Sequence, residues 1–273
     1  MRSRATRISS GGISIGLREW GEGPPVLLVH GTGLTSRYWS PLAAMLAERF
    51  RATTVDLLGY GETSLWEGGD AFHFHADRDV VIAALEHAGE PSHVVGHSYG
   101  GLLALQAALA RPDLVRSLAL YEPVAFSVLH SAHHRAGLED LNREGRGETM
   151  MNLATGGDEA WLRMFVDYWN GAGAFDNMTQ LARAGLLATG RKAFLEVRSN
   201  LLDRTTHDDY AKIAAPTLLL CGADSPMAAK ATVEVLAGAM PNAERKVIEG
   251  AGHLGPFTHG DAVGRAILSL LVS

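Results

Sequence analysis

The sequence predicts an α/β fold: a doubly wound, mostly parallel sheet with one helical segment inserted into it. Short, continuous apolar runs alternate with helical patterns along most of the chain, which is typical of parallel βαβ units. Residues 126–204 interrupt this alternation, because they contain several helical patterns and no strand-like run. The expected organisation is a sheet domain of residues 1–125 and 205–273, with residues 126–204 inserted between two of its strands.

Six runs are predicted to be strands. Residues 26–29 are apolar without interruption, as expected for a strand that is buried on both faces. The others have a similar character, and the last is expected near a sheet edge: residues 51–55, 93–95, 117–121, 217–220 and 246–249.

Helices are predicted between these strands, over residues 41–50, 76–88 and 100–110. The third is apolar almost all round, so it is expected to be buried, and the Arg-Pro pair after it ends the helix. Inside the insertion, an aromatic stripe recurs at helical spacing: Trp161, Phe165, Tyr168 and Trp169. We expect this stripe to pack the insertion onto the sheet domain, with the alternative that part of it lines a pocket.

Composition and charge narrow the class of protein. The 273 residues are 47% hydrophobic and 20% charged, with a formal net charge of -6, as in globular proteins. Lys and Arg are scattered, so neither nucleic acid nor a membrane surface is an expected partner. The one cysteine, Cys221, lies in an apolar run and is expected to be a buried thiol. No signal peptide and no membrane-spanning run is recognised, so a cytoplasmic location is expected.

The main chemical feature is the pentapeptide GHSYG at residues 96–100. A serine hydroxyl is a weak nucleophile unless it is exposed, oriented and deprotonated by a nearby base. A sharp turn from a strand to a helix exposes it, and the crowded backbone of that turn requires glycine on either side. The pentapeptide lies between a predicted strand and a predicted helix, so we predict that Ser98 is a nucleophile.

A glycine-rich turn, HGTG at residues 30–33, directly follows the first predicted strand. Acyl transfer needs backbone N–H donors aimed at the oxyanion of its tetrahedral intermediate. We predict that the N–H groups of Thr32 and Tyr99 form this oxyanion hole. The alternative for residues 30–33 is an ordinary tight turn.

His253 is the predicted general base. It lies in the segment AGHLGP, residues 251–256, after the last predicted strand. A glycine-rich loop there can carry the side chain towards the carboxyl ends of the strands. Its place after Ser98 also agrees with the chain order nucleophile, acid, histidine of one class of catalytic triads.

Together these motifs resemble the α/β-hydrolase superfamily, in the branch of small esterases, haloalkane dehalogenases, cofactor-free haloperoxidases and carbon–carbon bond hydrolases. The resemblance rests on HGTG, on GHSYG, on DLLGYGETS at residues 56–64 and on GAGH at residues 250–253. It covers nearly everything outside residues 126–204. It implies that these residues form a cap, that residues 56–64 are structural, and that the protein uses no metal and no organic cofactor.

The acid that orients the imidazole is the one member of the triad for which the sequence offers two candidates. In many relatives it follows the strand at residues 217–220 in the pattern G-x-x-D, but here the segment reads GADSP. Ser225 occupies the usual position of the acid, and Asp224 stands one residue early. Some relatives instead place a glutamate after the strand that follows the nucleophile helix, where this chain has Glu122. We favour Glu122, with Asp224 as the alternative; a purely structural glutamate is the other interpretation of Glu122.

The predicted activity is hydrolysis of carboxylic esters with small or medium apolar groups through an acyl-enzyme. The partner is a small-molecule substrate, contacted by Phe165, Trp169 and Leu254. Carbon–carbon bond hydrolysis and perhydrolase or haloperoxidase chemistry are alternatives, and a non-catalytic ligand-binding role is a more distant one. Hydrolytic dehalogenation is disfavoured, because it uses a carboxylate where this chain has Ser98.

Overall fold

The computed structural model describes residues 3–272, and its central element is an eight-stranded sheet. The strands, in chain order, are β1 Arg4–Ser10, β2 Ile13–Trp20, β3 Pro25–Val29, β4 Arg51–Val55, β5 Ser92–His97, β6 Val115–Tyr121, β7 Thr217–Gly222 and β8 Ala243–Ile248. They lie side by side in the order β1-β2-β4-β3-β5-β6-β7-β8.

The sheet is parallel from β4 to β8, and only its first strands are antiparallel. β2 pairs antiparallel with both β1 and β4. The order of winding reverses at β3, which lies between β4 and β5. In open α/β sheets, a crevice forms at the carboxyl ends of the strands where the order reverses. A site is therefore expected above the ends of β3 and β5.

Thirteen α-helices lie within the described residues. They are α1 Ser40–Leu46, α2 His75–Ala88, α3 Tyr99–Ala110, α4 Ser127–Ser131, α5 Arg135–Asn142, α6 Arg146–Met151, α7 Glu159–Asn170, α8 Gln180–Ala188, α9 Gly190–Leu201, α10 His207–Tyr210, α11 Met227–Ala239, α12 Gly255–Thr258 and α13 Gly260–Leu271.

Helices cover both faces of the sheet, and the side chains of β3 pack alternately against the helices on the two faces. Its Leu27 and Val29 pack in the cluster formed with α2, α3 and α11. Its Val26 and Leu28 pack on the opposite face, with α1 and α13. Successive strand side chains point to opposite faces, so a strand covered on both sides must be apolar throughout.

The chain between β6 and β7 is helical, and it contains a small core of its own. Trp161, Phe175 and Phe194 are buried together there. α4 and α5, however, pack against α11 of the sheet domain: a Cβ on Gly137 of α5 would lie 3.0 Å from the Cβ of Ala231. The boundary of the cap at residue 126 therefore stays a prediction.

The predicted fold class and all six predicted strands are confirmed. Two strands, β1 and β2, were not predicted. β1 is polar and mostly exposed, so its sequence carries no apolar signal. Its hydrogen bonds come from pairing with β2. The predicted helix 41–50 ends earlier, at Leu46.

Cys221 is a buried free thiol, as expected from its apolar run, and burial raises its pKa to about 11. In the described residues, no helix is long and apolar enough to cross a bilayer.

Candidate active site

Ser98 lies at the sharp turn between β5 and α3. Its backbone is strained, with φ 54° and ψ -120°, and such conformations cluster at functional sites. A Cβ on Gly96 would lie 2.7 Å from the carbonyl oxygen of Gly100, and one on Gly100 would collide with the carbonyl oxygen of Val29. Neither glycine could carry a side chain without moving backbone, so both are sterically required for this turn.

A chain of two hydrogen bonds connects Ser98 with His253 and Glu122. The Oγ of Ser98 is 3.0 Å from the Nε2 of His253. The Nδ1 of the same ring is 2.6 Å from the Oε2 of Glu122. All three side chains are buried, Glu122 completely. The geometry matches a nucleophile, a base and an orienting acid, with Nδ1–H donating to the carboxylate and Nε2 accepting from the serine.

Glu122 follows β6 directly and is held by β7 and the loop after it. Its Oε1 accepts hydrogen bonds from the N–H of Gly222, at 2.7 Å, and from the hydroxyl of Ser225. Its backbone is also strained, with φ 47°. Two donors on one oxygen leave the other oxygen to His253, so the carboxylate is fixed in one orientation.

Asp224 is not brought to His253. Its side chain is exposed, and no hydrogen bond from residues 3–272 reaches its carboxylate. The loop turns Ser225 inward instead, and Ser225 is buried. The one-residue offset seen in the sequence therefore points the Asp224 carboxylate away from the imidazole.

Thr32 and Tyr99 lie beside Ser98, and both line a small space next to it. The N–H of Tyr99 is in the first turn of α3, where backbone donors have no partner inside the helix. Within the described chain, neither this N–H nor that of Thr32 donates to a backbone oxygen. A Cβ on Gly31 would lie 3.1 Å from the Cβ of Ser98, which shows how closely the HGTG turn approaches the serine. Two free donors beside the nucleophile are the requirement for an oxyanion hole.

His97 supports His253, the predicted base, through a hydrogen bond that the sequence did not predict. Its Nε2–H donates to the backbone carbonyl of His253, at 2.9 Å. Complete burial lowers the pKa of His97 well below its usual range, so the ring is neutral and can keep this tautomer. No sequence signal distinguishes it from the other variable position of the pentapeptide.

A cleft of about 550 Å³ opens above Ser98 and His253. The three predicted substrate-contacting residues, Phe165, Trp169 and Leu254, all line it, together with apolar cap residues such as Met178 and Leu186. Trp169 has both roles predicted for the aromatic stripe, because it packs in the core cluster of the sheet domain and also lines the cleft. Trp161 packs inside the cap, whereas Trp169 reaches the cleft.

A buried charged group lies behind Thr32 and Tyr99, the residues of the predicted oxyanion hole, and the sequence did not predict this group. Lys192 of α9 binds Asp77 of α2 at 2.7 Å and Glu196 at 2.6 Å. The phenol of Tyr99 donates to the same oxygen of Asp77, at 2.9 Å. Burial raises the pKa of Glu196 to about 7, although Lys192 opposes this shift. The i, i+4 spacing of Lys192 and Glu196 indicates an ion pair in the sequence. Such pairs usually lie on exposed helix faces, so the spacing does not indicate a buried group.

The structure gives no metal centre to add to this arrangement. Across residues 3–272, no three His, Cys, Asp or Glu side chains are grouped so that they could hold a metal ion.

The chain is similar in sequence to several known proteins. A model of the alpha/beta hydrolase family matches residues 26–266. The chain is 30% identical over 263 residues to a pimeloyl-(acyl-carrier protein) methyl ester esterase of Xanthomonas campestris pv. campestris, covering 90% of this chain and 94% of that protein. A protein of the same description from Aeromonas salmonicida is 27% identical over 256 residues, with coverage of 90% and 95%.

A solved structure shows the same architecture. The enol-lactonase from Burkholderia xenovorans aligns with a TM-score of 0.74, covering 98% of this chain and 100% of that one. Because the two sequences are only 18% identical, this likeness concerns the fold alone.

Proposed function

The chain belongs to the alpha/beta hydrolase family, and we propose that it cleaves carboxylic esters with Ser98 as nucleophile. The observation that carries this proposal is the hydrogen-bonded chain from Ser98 through His253 to Glu122, with contacts of 3.0 and 2.6 Å. The similar proteins support this proposal, since two methyl ester esterases align over nine-tenths of this chain.

In the first half of the reaction, the Nε2 of His253 takes the proton of Ser98 as its Oγ attacks the ester carbonyl carbon. The carbonyl π electrons move to oxygen, and the N–H groups of Thr32 and Tyr99 stabilise that oxyanion. When the carbonyl re-forms, the bond to the alcohol oxygen breaks, and the imidazolium of His253 protonates the departing alcohol. An acyl-enzyme on Ser98 remains.

Water completes the cycle. His253 takes a proton from a water molecule, whose oxygen attacks the acyl carbon. As the second oxyanion collapses to the free acid, the bond to Oγ of Ser98 breaks and the imidazolium returns the proton to that oxygen. Glu122 keeps the ring oriented and stabilises its charged form throughout. Gly222 and Ser225 hold Glu122 in turn, so they act as positioning residues.

We propose a small or medium apolar ester as the substrate class. The cleft is large enough for such a molecule, and its wall is mostly apolar, with Phe165, Trp169 and Leu254 among the residues that line it. The Xanthomonas and Aeromonas relatives are methyl ester esterases by description, which is compatible with a small leaving alcohol on the side of His253.

Nitrophenyl esters of increasing acyl length, assayed with wild type and Ser98→Ala, test the proposal. We expect turnover in the wild type and a loss of at least about 10³-fold in the variant. Ser269→Ala, at an exposed position of α13, is the matched control and should retain full activity. A fluorophosphonate should label the wild type and the control, but not Ser98→Ala.

Two results would redirect the assignment. Covalent labelling of Ser98 without ester turnover would favour carbon–carbon bond hydrolysis or transfer to peroxide by the same triad. Absence of both labelling and turnover would favour a non-catalytic binding protein.

A further inference from the structure

The two predicted oxyanion donors belong to separate segments of the chain. Thr32 lies in the turn after β3, whereas Tyr99 is the first residue of α3. An oxyanion hole stabilises charge best when its donors are already in place, because no reorganisation is then needed during the reaction. The contacts that hold these two segments in position are therefore relevant to the rate.

The side chain of Tyr99 is anchored on α2. Its phenol donates to the Oδ2 of Asp77, at 2.9 Å. Burial holds the pKa of this phenol well above its usual value, so the hydroxyl stays protonated and remains a donor. The Oδ1 of Asp77 accepts from the backbone N–H of Leu58, also at 2.9 Å. Asp77 thus joins the start of α3 to the loop that follows β4.

The turn that carries Thr32 is connected to Glu196 of α9. The side chains of Thr32 and Tyr60 both hydrogen-bond the Glu196 carboxyl. The phenol oxygen of Tyr60 also accepts from the backbone N–H of Gly33, at 3.2 Å. The turn therefore reaches Glu196 in two ways, through the hydroxyl of Thr32 and, by way of Tyr60, through the backbone of Gly33.

Lys192 joins the two sides. Its Nζ is 2.7 Å from the Oδ2 of Asp77 and 2.6 Å from the Oε1 of Glu196. Burial lowers the pKa of Lys192, but the two carboxylates outweigh burial and raise it, so the amine is protonated. The ammonium also lies 5.1 Å from the ring centroid of Tyr60 and 4.4 Å from that of Phe72.

Burial makes these contacts hard to replace. The side chains of Asp77 and Glu196 are 0% exposed and that of Lys192 is 10% exposed, so water cannot readily take the place of a lost partner. Lys192 and Glu196 belong to the insertion between β6 and β7, whereas Asp77 belongs to the sheet domain. The same ion group thus connects the inserted helices with both segments of the predicted oxyanion hole.

We propose that Lys192 is a positioning residue for the oxyanion hole, which it holds by linking Asp77 behind Tyr99 to Glu196 behind Thr32. This inference rests on the proposed esterase function. Lys192 is not among the described residues that line the cleft, so it acts through these neighbours and not on the substrate. The competing role is packing of the insertion onto the sheet domain, which would affect every ligand of the cleft alike.

Two matched ligands separate these roles. With benzyl trifluoromethyl ketone, the Oγ of Ser98 bonds to the carbonyl carbon, the π electrons move to oxygen, and His253 takes the serine proton. The resulting oxyanion occupies the hole. The corresponding alcohol fills the same space but cannot form an oxyanion.

Lys192→Met keeps the length of the side chain and removes its charge. Loss of one whole oxyanion donor costs about 10²–10³-fold in kcat, and displaced donors should cost less. We expect about tenfold weaker binding of the ketone and a similar fall in kcat for a nitrophenyl ester, with affinity for the alcohol within about twofold of wild type.

Tyr99→Phe tests the same connection without leaving a buried charge unpaired, since Asp77 keeps Lys192 and Leu58. It removes the phenol and retains the backbone N–H. We expect about threefold weaker ketone binding, and a double variant with Lys192→Met should lose less than the product of the two effects, because both act on Asp77.

The matched control is Lys212→Met, which removes an exposed lysine paired with Asp209. It should change neither ligand affinity nor kcat. If Lys192→Met does not fold, Lys192→Met/Glu196→Gln, which has one buried carboxylate fewer, takes its place. If neither lysine variant folds, Tyr99→Phe decides by the same comparison of ketone with alcohol.

The outcomes distinguish this inference from the esterase proposal. A wild type that neither turns over esters nor binds the ketone would contradict the esterase function itself. Equal losses of ketone and alcohol affinity in the variants of an active wild type would overturn the inference and leave Lys192 a packing role. Unchanged ketone affinity in the folded variants would overturn it as well.

Discussion

The indole of Trp169 stacks on the imidazole of His253, with ring centroids 3.7 Å apart and planes inclined by 21°. Trp169 belongs to α7 of the cap, whereas His253 is in the loop after β8 of the sheet domain. The ring of His253 is therefore fixed along one edge by Glu122 and across one face by Trp169. The cap contributes to the geometry of the proposed base as well as to the walls of the cleft.

Replacing Trp169 should reduce catalysis through His253. Aromatic pairs are worth about 0.5–1.5 kcal/mol beyond their buried area, and a freed imidazole spends less time aligned with Ser98. We expect Trp169→Ala to lower kcat for a nitrophenyl ester about tenfold, and Trp169→Phe, which keeps an aromatic face, to lose about threefold or less.

Trp161→Phe is the control for that experiment, since Trp161 stacks on Phe165 within the cap and does not contact His253. Its effect should appear in the free energy of unfolding and not in kcat. An unchanged kcat in Trp169→Ala would contradict a positioning role for the stacked indole.

Glu122→Gln should remove most of the activity. The amide cannot stabilise the imidazolium and favours the wrong tautomer, a change that costs about 10⁴-fold in kcat in serine proteases. Asp224→Asn, an equally conservative change at an exposed carboxylate, should stay within about twofold of wild type. Steady-state kinetics of both variants decide the acid: equal losses, or a larger loss in Asp224→Asn, would refute the assignment to Glu122.

Most of the sheet could be predicted because its strands are buried on both faces. Residues 26–29 and 217–220 contain no charged residue, and a short run of that kind, bounded by turn residues, is typical of a buried strand. β1 could not be predicted, because it is an exposed edge strand whose stability comes from pairing with β2 rather than from apolar side chains.

In the site, the sequence indicated the residues that belong to recognisable motifs and missed the contacts that support them. Ser98 is identifiable because the turn around it requires two nearby glycines. The contact between Ser225 and Glu122 joins residues 103 positions apart, and that between Lys192 and Asp77 joins residues 115 apart. Neither pairing leaves a local pattern, so both had to come from the folded structure.

His97 should affect turnover although it does not contact the hydroxyl of Ser98. Its hydrogen bond to the carbonyl of His253 fixes the loop that carries the base, at 2.9 Å. His97→Phe keeps a ring of similar size but removes the donor and leaves that carbonyl unpaired. We expect a five- to tenfold fall in kcat with little change in KM, and a loss of about 1–3 kcal/mol in unfolding free energy.

The comparison variant is His259→Phe, on the same loop region but away from the proposed triad, where the ring contacts Thr258. This variant should change neither kcat nor the free energy of unfolding appreciably. A rise in KM at constant kcat in His97→Phe would instead point to substrate contact by His97.

Acid should destabilise the fold through its buried neutral histidines. Burial lowers the pKa of His93 to about 4 and that of His97 well below its usual range. Because the folded pKa is below the unfolded value of about 6.5, the unfolded chain binds more protons between these values. The stabilisation is complete above about pH 6.5 and is lost as pH falls towards the folded pKa, by up to about 1.4 kcal/mol per pH unit for each histidine.

Urea unfolding of wild type at pH 7.5, 6.5 and 5.5 should show this decline in the free energy of unfolding. His93→Gln keeps a polar group for Ser117 but cannot titrate, so its stability should fall less steeply over the same range. Parallel slopes for the two proteins would show that His93 contributes nothing to the acid sensitivity.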